Sequence, residues 1–137
     1  MGPAILVSAV VAMAAVRFAP ECAPAAARVY RVAEGAVPAT DVASVPAGAT
    51  QTTSTHHLRI RGPVPAHLHR RHDETVVVLS GRGRLRLGDA SFDVGPGTVI
   101  QVPRGTVHAL EVTESPVEAI SVFSPPFDGT DRVRVDE

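Results

Sequence analysis

Two histidines one residue apart, His67 and His69, are followed by Glu74 and, after a turn-rich stretch, by His108. No other feature restricts the fold of this chain as tightly. Side chains alternate along an extended segment, so His67 and His69 point to the same side. Glu74 has the wrong parity to join them on one continuous strand. The polar run 70–73 (Arg-Arg-His-Asp) can reverse the chain, and Glu74 then opens the apolar strand Thr75 to Leu79. Such a hairpin returns the carboxylate to the two imidazoles. A second segment, Gly97 to His108, contains Pro103-Arg104-Gly105, a turn that opens a strand and presents His108 as a fourth group.

These segments resemble the paired motifs of the cupins. The first is carried by Gly62, His67, His69, Glu74 and Gly81, the second by Gly97, Pro103, Gly105 and His108. About 15 residues separate Gly81 from Gly97, a compact gap for the family. Val112 stands where the second motif often has Asn, a departure that touches pocket detail rather than ligation. The resemblance implies an all-β fold, a small jelly-roll barrel or double-stranded β-helix. It also implies that His67, His69, Glu74 and His108 bind a divalent metal. Three neutral imidazoles and one carboxylate leave a single negative charge, which a divalent cation compensates inside an apolar barrel. Such ligands suit Fe, Mn, Ni, Cu or Zn without choosing among them. The competing arrangement is a metal-free barrel whose histidines bond to each other or to Glu74. For activity, relatives of this kind imply a dioxygenase, or an isomerase or lyase that uses the metal as a Lewis acid. A non-catalytic small-molecule or metal-binding module is the alternative.

The chain has 137 residues, enough for one domain. The expected division is an N-terminal hydrophobic segment over 1–27 and a single barrel domain over 28–137, with its core at about 50–124. Ala4 to Val16 is an uncharged apolar run followed by small residues, the pattern of an export signal. It is shorter than the roughly 20 residues that a membrane-spanning helix needs. Export to the periplasm or outside is therefore expected, although Met1-Gly2-Pro3 lacks a Lys or Arg; an uncleaved, cytoplasmic start is the alternative. All 13 basic residues are Arg and the net charge is −1, so charge gives no reason to expect a nucleic-acid partner. The single Cys22 rules out an intrachain disulfide and a cysteine-rich metal site. With 4% aromatic residues, the core must be built from Val, Leu, Ile and Ala.

Strand patterning then places the remaining candidates. Arg28 to Val32 reads as a short strand, and Ala33 to Ala49 as loop and edge structure. Along Thr50 to Arg61, alternation puts His56, Leu58 and Ile60 inside and His57 in solvent, making His56 a candidate pocket histidine or else a strand-end residue. His72, in the turn, belongs in solvent or behind the ligands. Glu74, Val76 and Val78 line the barrel, while Val77 and Leu79 form an apolar outer face needing a cover. A second copy of the chain, giving a homodimer, or its own N-terminal segment could supply that cover. Leu85 and Leu87 point inward, with Arg84 and Arg86 outward. On Val117 to Ser124, Ser121 and Phe123 face the cavity with Ala119. Gln101 completes the set of pocket candidates. His56 and Glu118, the latter on the outer face, are the candidate acid–base residues for a small-molecule substrate. Phe127 to Glu137 reads as a polar tail with one last possible strand, Arg132 to Val135.

Overall fold

The computed structural model describes residues 26–34 and 36–136. The apolar run Ala4–Val16 and Cys22 lie outside them. Among the described residues no helix is long and apolar enough to cross a membrane. Eight strands follow one another: β1 Val42–Ala49, β2 Ser54–Ile60, β3 Val64–Leu68, β4 Asp73–Leu87, β5 Ala90–Val94, β6 Val99–Val102, β7 His108–Ser124 and β8 Val133–Arg134. A 3-10 turn, Val32–Glu34, precedes them.

The two long strands organise the rest. β4 and β7 run antiparallel from Asp73–Ser124 to Leu87–His108, with register shifts between Val78 and Gly83. Their first half is flanked by β6 on one side and by β2, then β1, on the other. Their second half is flanked by β5 and by β3, then β8. One bent ribbon thus belongs to two sheets, β1-β2-β7-β4-β6 and β8-β3-β7-β4-β5, which close over a common interior as a jelly roll. Gly81 makes the bend possible. Its φ is +76°, and a Cβ there would lie 2.2 Å from the Pro116 carbonyl oxygen, so only glycine fits.

The interior is aliphatic, as the composition requires. Ile60, Val78, Leu85, Val94, Ile100, Val102 and Val117 form its buried cluster. Burying such side chains contributes about 1.5–3 kcal/mol each.

Several local expectations are corrected. The segments around Thr75–Leu79 and Gly81–Asp89 are not separate strands but one, because the glycines bend β4 without ending its pairing to β7. The stretch from His108 to Ser124 is likewise one strand. Arg28–Val32 is not a strand: the chain is irregular to Arg31 and then turns. β1 occupies the edge of β2 that such a strand would need. β1 arises from the stretch read as loop and edge, and holds Pro46 on an edge strand where its missing N–H is tolerated. The strand expected within Arg132 to Val135 is present as β8 and pairs with β3, but the tail also buries Asp131.

Candidate metal centre and cavity

Three strands and one turn carry the four groups together. His67 lies on β3 directly opposite His108, the first residue of β7. His69 follows the end of β3, and the reversal at 70–72 returns the chain to Glu74 on β4. All four side chains are buried, and one nitrogen from each of His67, His69 and His108 falls in a group spanning at most 4.8 Å. Glu74 Oε2 lies 3.4 Å from His108 Nε2 and 3.7 Å from His69 Nε2.

The hydrogen bonds behind the rings fix what the inner nitrogens can be. Nδ1 of His67 contacts the Pro65 carbonyl at 2.8 Å, that of His69 the Asp131 carbonyl at 2.9 Å, and that of His108 the Thr106 carbonyl at 3.0 Å. A carbonyl only accepts, so each Nδ1 carries the hydrogen and donates it. In the neutral ring Nε2 is then a bare lone pair. Three such lone pairs converge, with a Glu74 oxygen beside those of His69 and His108, an arrangement that a cation satisfies and that repels itself without one. The donor set fits a divalent transition metal.

Electrostatics agrees in direction. Burial, then the neighbouring His108, lowers the His67 pKa to about 4. Burial also lowers that of His69, against the pull of Glu74. For Glu74, burial pushes the pKa up, but His108 and Ser121 outweigh it and the net direction is down. The Ser121 hydroxyl donates to Glu74 Oε1 at 2.5 Å. Neutral His67 and His69 rings and an ionised Glu74 carboxylate are therefore the favoured states near neutral pH.

A cavity of about 160 Å³ opens beside this cluster, lined by His67, His69, His108 and Glu74 and walled by aliphatic side chains including Val42, Leu58, Ile60, Val64 and Leu110. Phe123 lines it and stacks on Phe127, ring centroids 4.5 Å apart. Ser121 is fully buried and reaches Glu74. His56 is inside the protein but does not line this cavity. It packs edge-on to Phe123 and Phe127, bonds Ser54, and faces a second cleft toward Pro46. Gln101 is not a pocket residue. It is exposed and accepts a hydrogen bond from Thr75, because its neighbours Ile100 and Val102 take the inward positions.

His57 is not in solvent but 0% exposed. Tyr30 bonds its Nδ1 at 3.0 Å and Glu118 its Nε2 at 2.5 Å, so Tyr30, from the stretch before β1, covers this part of the outer face. Glu118 also pairs with Arg59, and it faces away from the cavity. His72 is buried behind the ligands, its Nδ1 2.6 Å from Asp131 Oδ2.

Sequence reasoning missed three residues, Phe127, Asp131 and Arg132. The Asp131 carboxylate accepts the amides of Arg70 and Arg71 as well as His72, while its carbonyl orients His69. Burial opposes the Asp131 charge, but His72 and those amides hold its carboxyl below the ordinary range. Arg132 lines the cavity. The only sequence signal was an apolar Phe at the start of a tail that otherwise reads as polar.

Residues 43–123 match the family model of the cupin domain, and the chain belongs to that family. It is 37% identical over 70 residues to an uncharacterised protein of Aquifex aeolicus, covering 51% of this chain and 58% of that protein. A Streptomyces coelicolor protein, also uncharacterised, is 35% identical over 54 residues, 39% of this chain and 51% of that one. The chain thus spans little more than half the length of these curated relatives. Among solved structures, a Klebsiella pneumoniae protein with a double-stranded β-helix domain has a TM-score of 0.69 at 17% identity, covering 82% of this chain and all of that one. The Streptomyces nucleoside dehydratase Pac13 has a TM-score of 0.66 at 18% identity, covering 80% and 92%. KdgF from Halomonas has a TM-score of 0.61 at 22% identity, covering 64% and 83%. At these identities the likeness is one of fold.

Proposed function

We propose that the protein is a metal-dependent enzyme that binds a divalent transition metal through His67, His69, His108 and Glu74 and acts on a small molecule in the adjoining cavity. The observation that carries this reading is the convergence of three unprotonated imidazole nitrogens and an ionised carboxylate at the wall of an apolar cavity. When bound, the metal supplies Lewis acidity, or redox chemistry if it is iron. The chain's own part is to hold the ligands in one tautomer, to fix Glu74 through Ser121, and to surround the small molecule with aliphatic side chains that exclude water.

Of the reaction classes, oxidation of a largely apolar molecule by dioxygen fits best. Among the described residues the cavity wall holds few proton-transfer groups besides the ligands, whereas an isomerase or lyase must move protons on its substrate. The same scarcity supports the second reading, a binding module without turnover. Oxygen uptake by the iron-loaded protein, screened against small molecules, tests the proposal. Uptake that needs one added compound, and is lost in His108→Ala together with the bound iron, is the expected result. Thermal stabilisation by a compound without uptake favours the binding module. Failure of the natively purified protein to carry or take up any transition metal overturns the enzyme reading.

A further inference from the structure

Among the described residues, Arg132 is the one that brings a guanidinium to the cavity lining. It is held there by its neighbours. The Asp131 carbonyl is tied to His69, and Val133 and Arg134 pair with Leu68 and His67 of β3. Opposed residues on antiparallel strands share a face, so by alternation Arg132 falls on the side that carries the histidines. Among the described residues it has no hydrogen-bond or ion-pair partner. The nearest acid in sequence, Asp131, already serves Arg70, Arg71 and His72. Burial, then the charge of Arg134, works against the cation, and Glu74 favours it. Its guanidinium group, exposed and without a partner among the described residues, stands at the wall of a cavity lined mostly by aliphatic side chains, where an anion from outside the chain can meet it.

We propose that Arg132 sets the specificity of the cavity by pairing with the carboxylate of a small, otherwise apolar acid, whose hydrocarbon part lies against Val42, Leu58, Ile60 and Val64. A planar carboxylate matches the guanidinium fork with two parallel hydrogen bonds. At an interior packing density of about 0.75, a cavity of about 160 Å³ has room for an acid of roughly half a dozen carbons. Phosphate fits less well, since its second charge would stand among aliphatic walls near Glu74. The assignment deepens the proposed function and rests on it for the choice of cavity, but the contact itself does not require the metal.

The test is calorimetric binding of 4-methylpentanoate, its uncharged amide and inorganic phosphate, to zinc-loaded and to EDTA-treated protein. The expected result is a preference of at least about 10-fold for the acid over the amide in both states. Arg132→Gln should abolish that preference, Arg132→Lys restore part of it, and Arg134→Gln leave it intact. Equal binding of acid and amide by the wild type, binding of neither, a preference that survives Arg132→Gln, or phosphate binding as tightly as the acid would each overturn the proposal. Zinc stoichiometry in the same titrations is read separately, so a protein that prefers the acid but takes no metal contradicts the proposed function and not the role of Arg132.

Discussion

The His67 ring illustrates how much a single backbone carbonyl decides. Pro65 accepts its Nδ1–H, and the inward nitrogen is thereby left bare, which is the form that binds a metal and the form that resists a proton. Its pKa, lowered by burial to about 4, makes a prediction with a definite sign. Between about pH 6.5 and 4 the unfolded chain protonates this histidine and the folded one does not, so stability of the metal-free protein must fall as pH falls through that window. For His67 alone the loss is of order 3 kcal/mol, with His69 acting in the same direction. Denaturant midpoints in EDTA at successive pH values measure it, and His67→Gln should flatten the slope. A slope unchanged by that substitution would show that the ring is already protonated or exposed. At this scale the clustering of His67, His69, Glu74 and His108 was anticipated from the paired motifs, with parity placing only His67 and His69 on one side. His57 was not, since its burial depends on Tyr30 and Glu118, which lie 27 and 61 residues away. Gln101 was legible and misread, because Ile100 and Val102 on either side already claimed the inward face.

At the scale of elements, the C-terminal segment does more than end the barrel. It brings Phe127 against Phe123, Asp131 under the turn between His69 and Glu74, and Arg132 into the cavity wall. The Asp131 carboxylate is 4% exposed and holds two backbone amides and His72, so truncating it leaves the buried His72 and two part-buried amides without this acceptor. Asp131→Ala should cost about 3 kcal/mol or more of stability and weaken metal affinity about 10-fold through the loosened His69. Thermal melts and a competitive chelator titration check the two effects. A stable variant with unchanged affinity would mean that the turn is held without this clamp. The clamp escaped sequence reading because it is a contact between segments about 60 residues apart, with no periodicity to announce it. The continuity of β4 and β7 escaped for a different reason. Gly81 and Pro116 look like breaks in a sequence, whereas here they mark bends in strands that keep their partners.

For the whole molecule, the paired cupin motifs anticipated the closed all-β barrel, and alternation of apolar residues anticipated only which side of individual strands faces its interior. The outer face is less complete. A row runs across the sheet from Val45 through His57, Ile120 and Val77 to Val99. Its His57 end is covered by Tyr30, while Val99 is 60% exposed and Leu79, on the next strand over, 42%. The homodimer proposed for this chain would cover that open end. Sedimentation equilibrium at micromolar concentration should then show a dimer, with Val99→Arg shifting it to monomer and leaving metal content unchanged. A wild-type protein that sediments only as a monomer rejects the dimer.

The central claim, that four side chains brought from β3, the following turn, β4 and β7 grip one cation, is tested most directly by anomalous X-ray scattering from crystals of the zinc-loaded protein. One strong peak within bonding distance of the Nε2 atoms of His67, His69 and His108 and of the Glu74 carboxylate is the predicted result. A map with no peak there, or with the three rings turned away from one another around water, contradicts it.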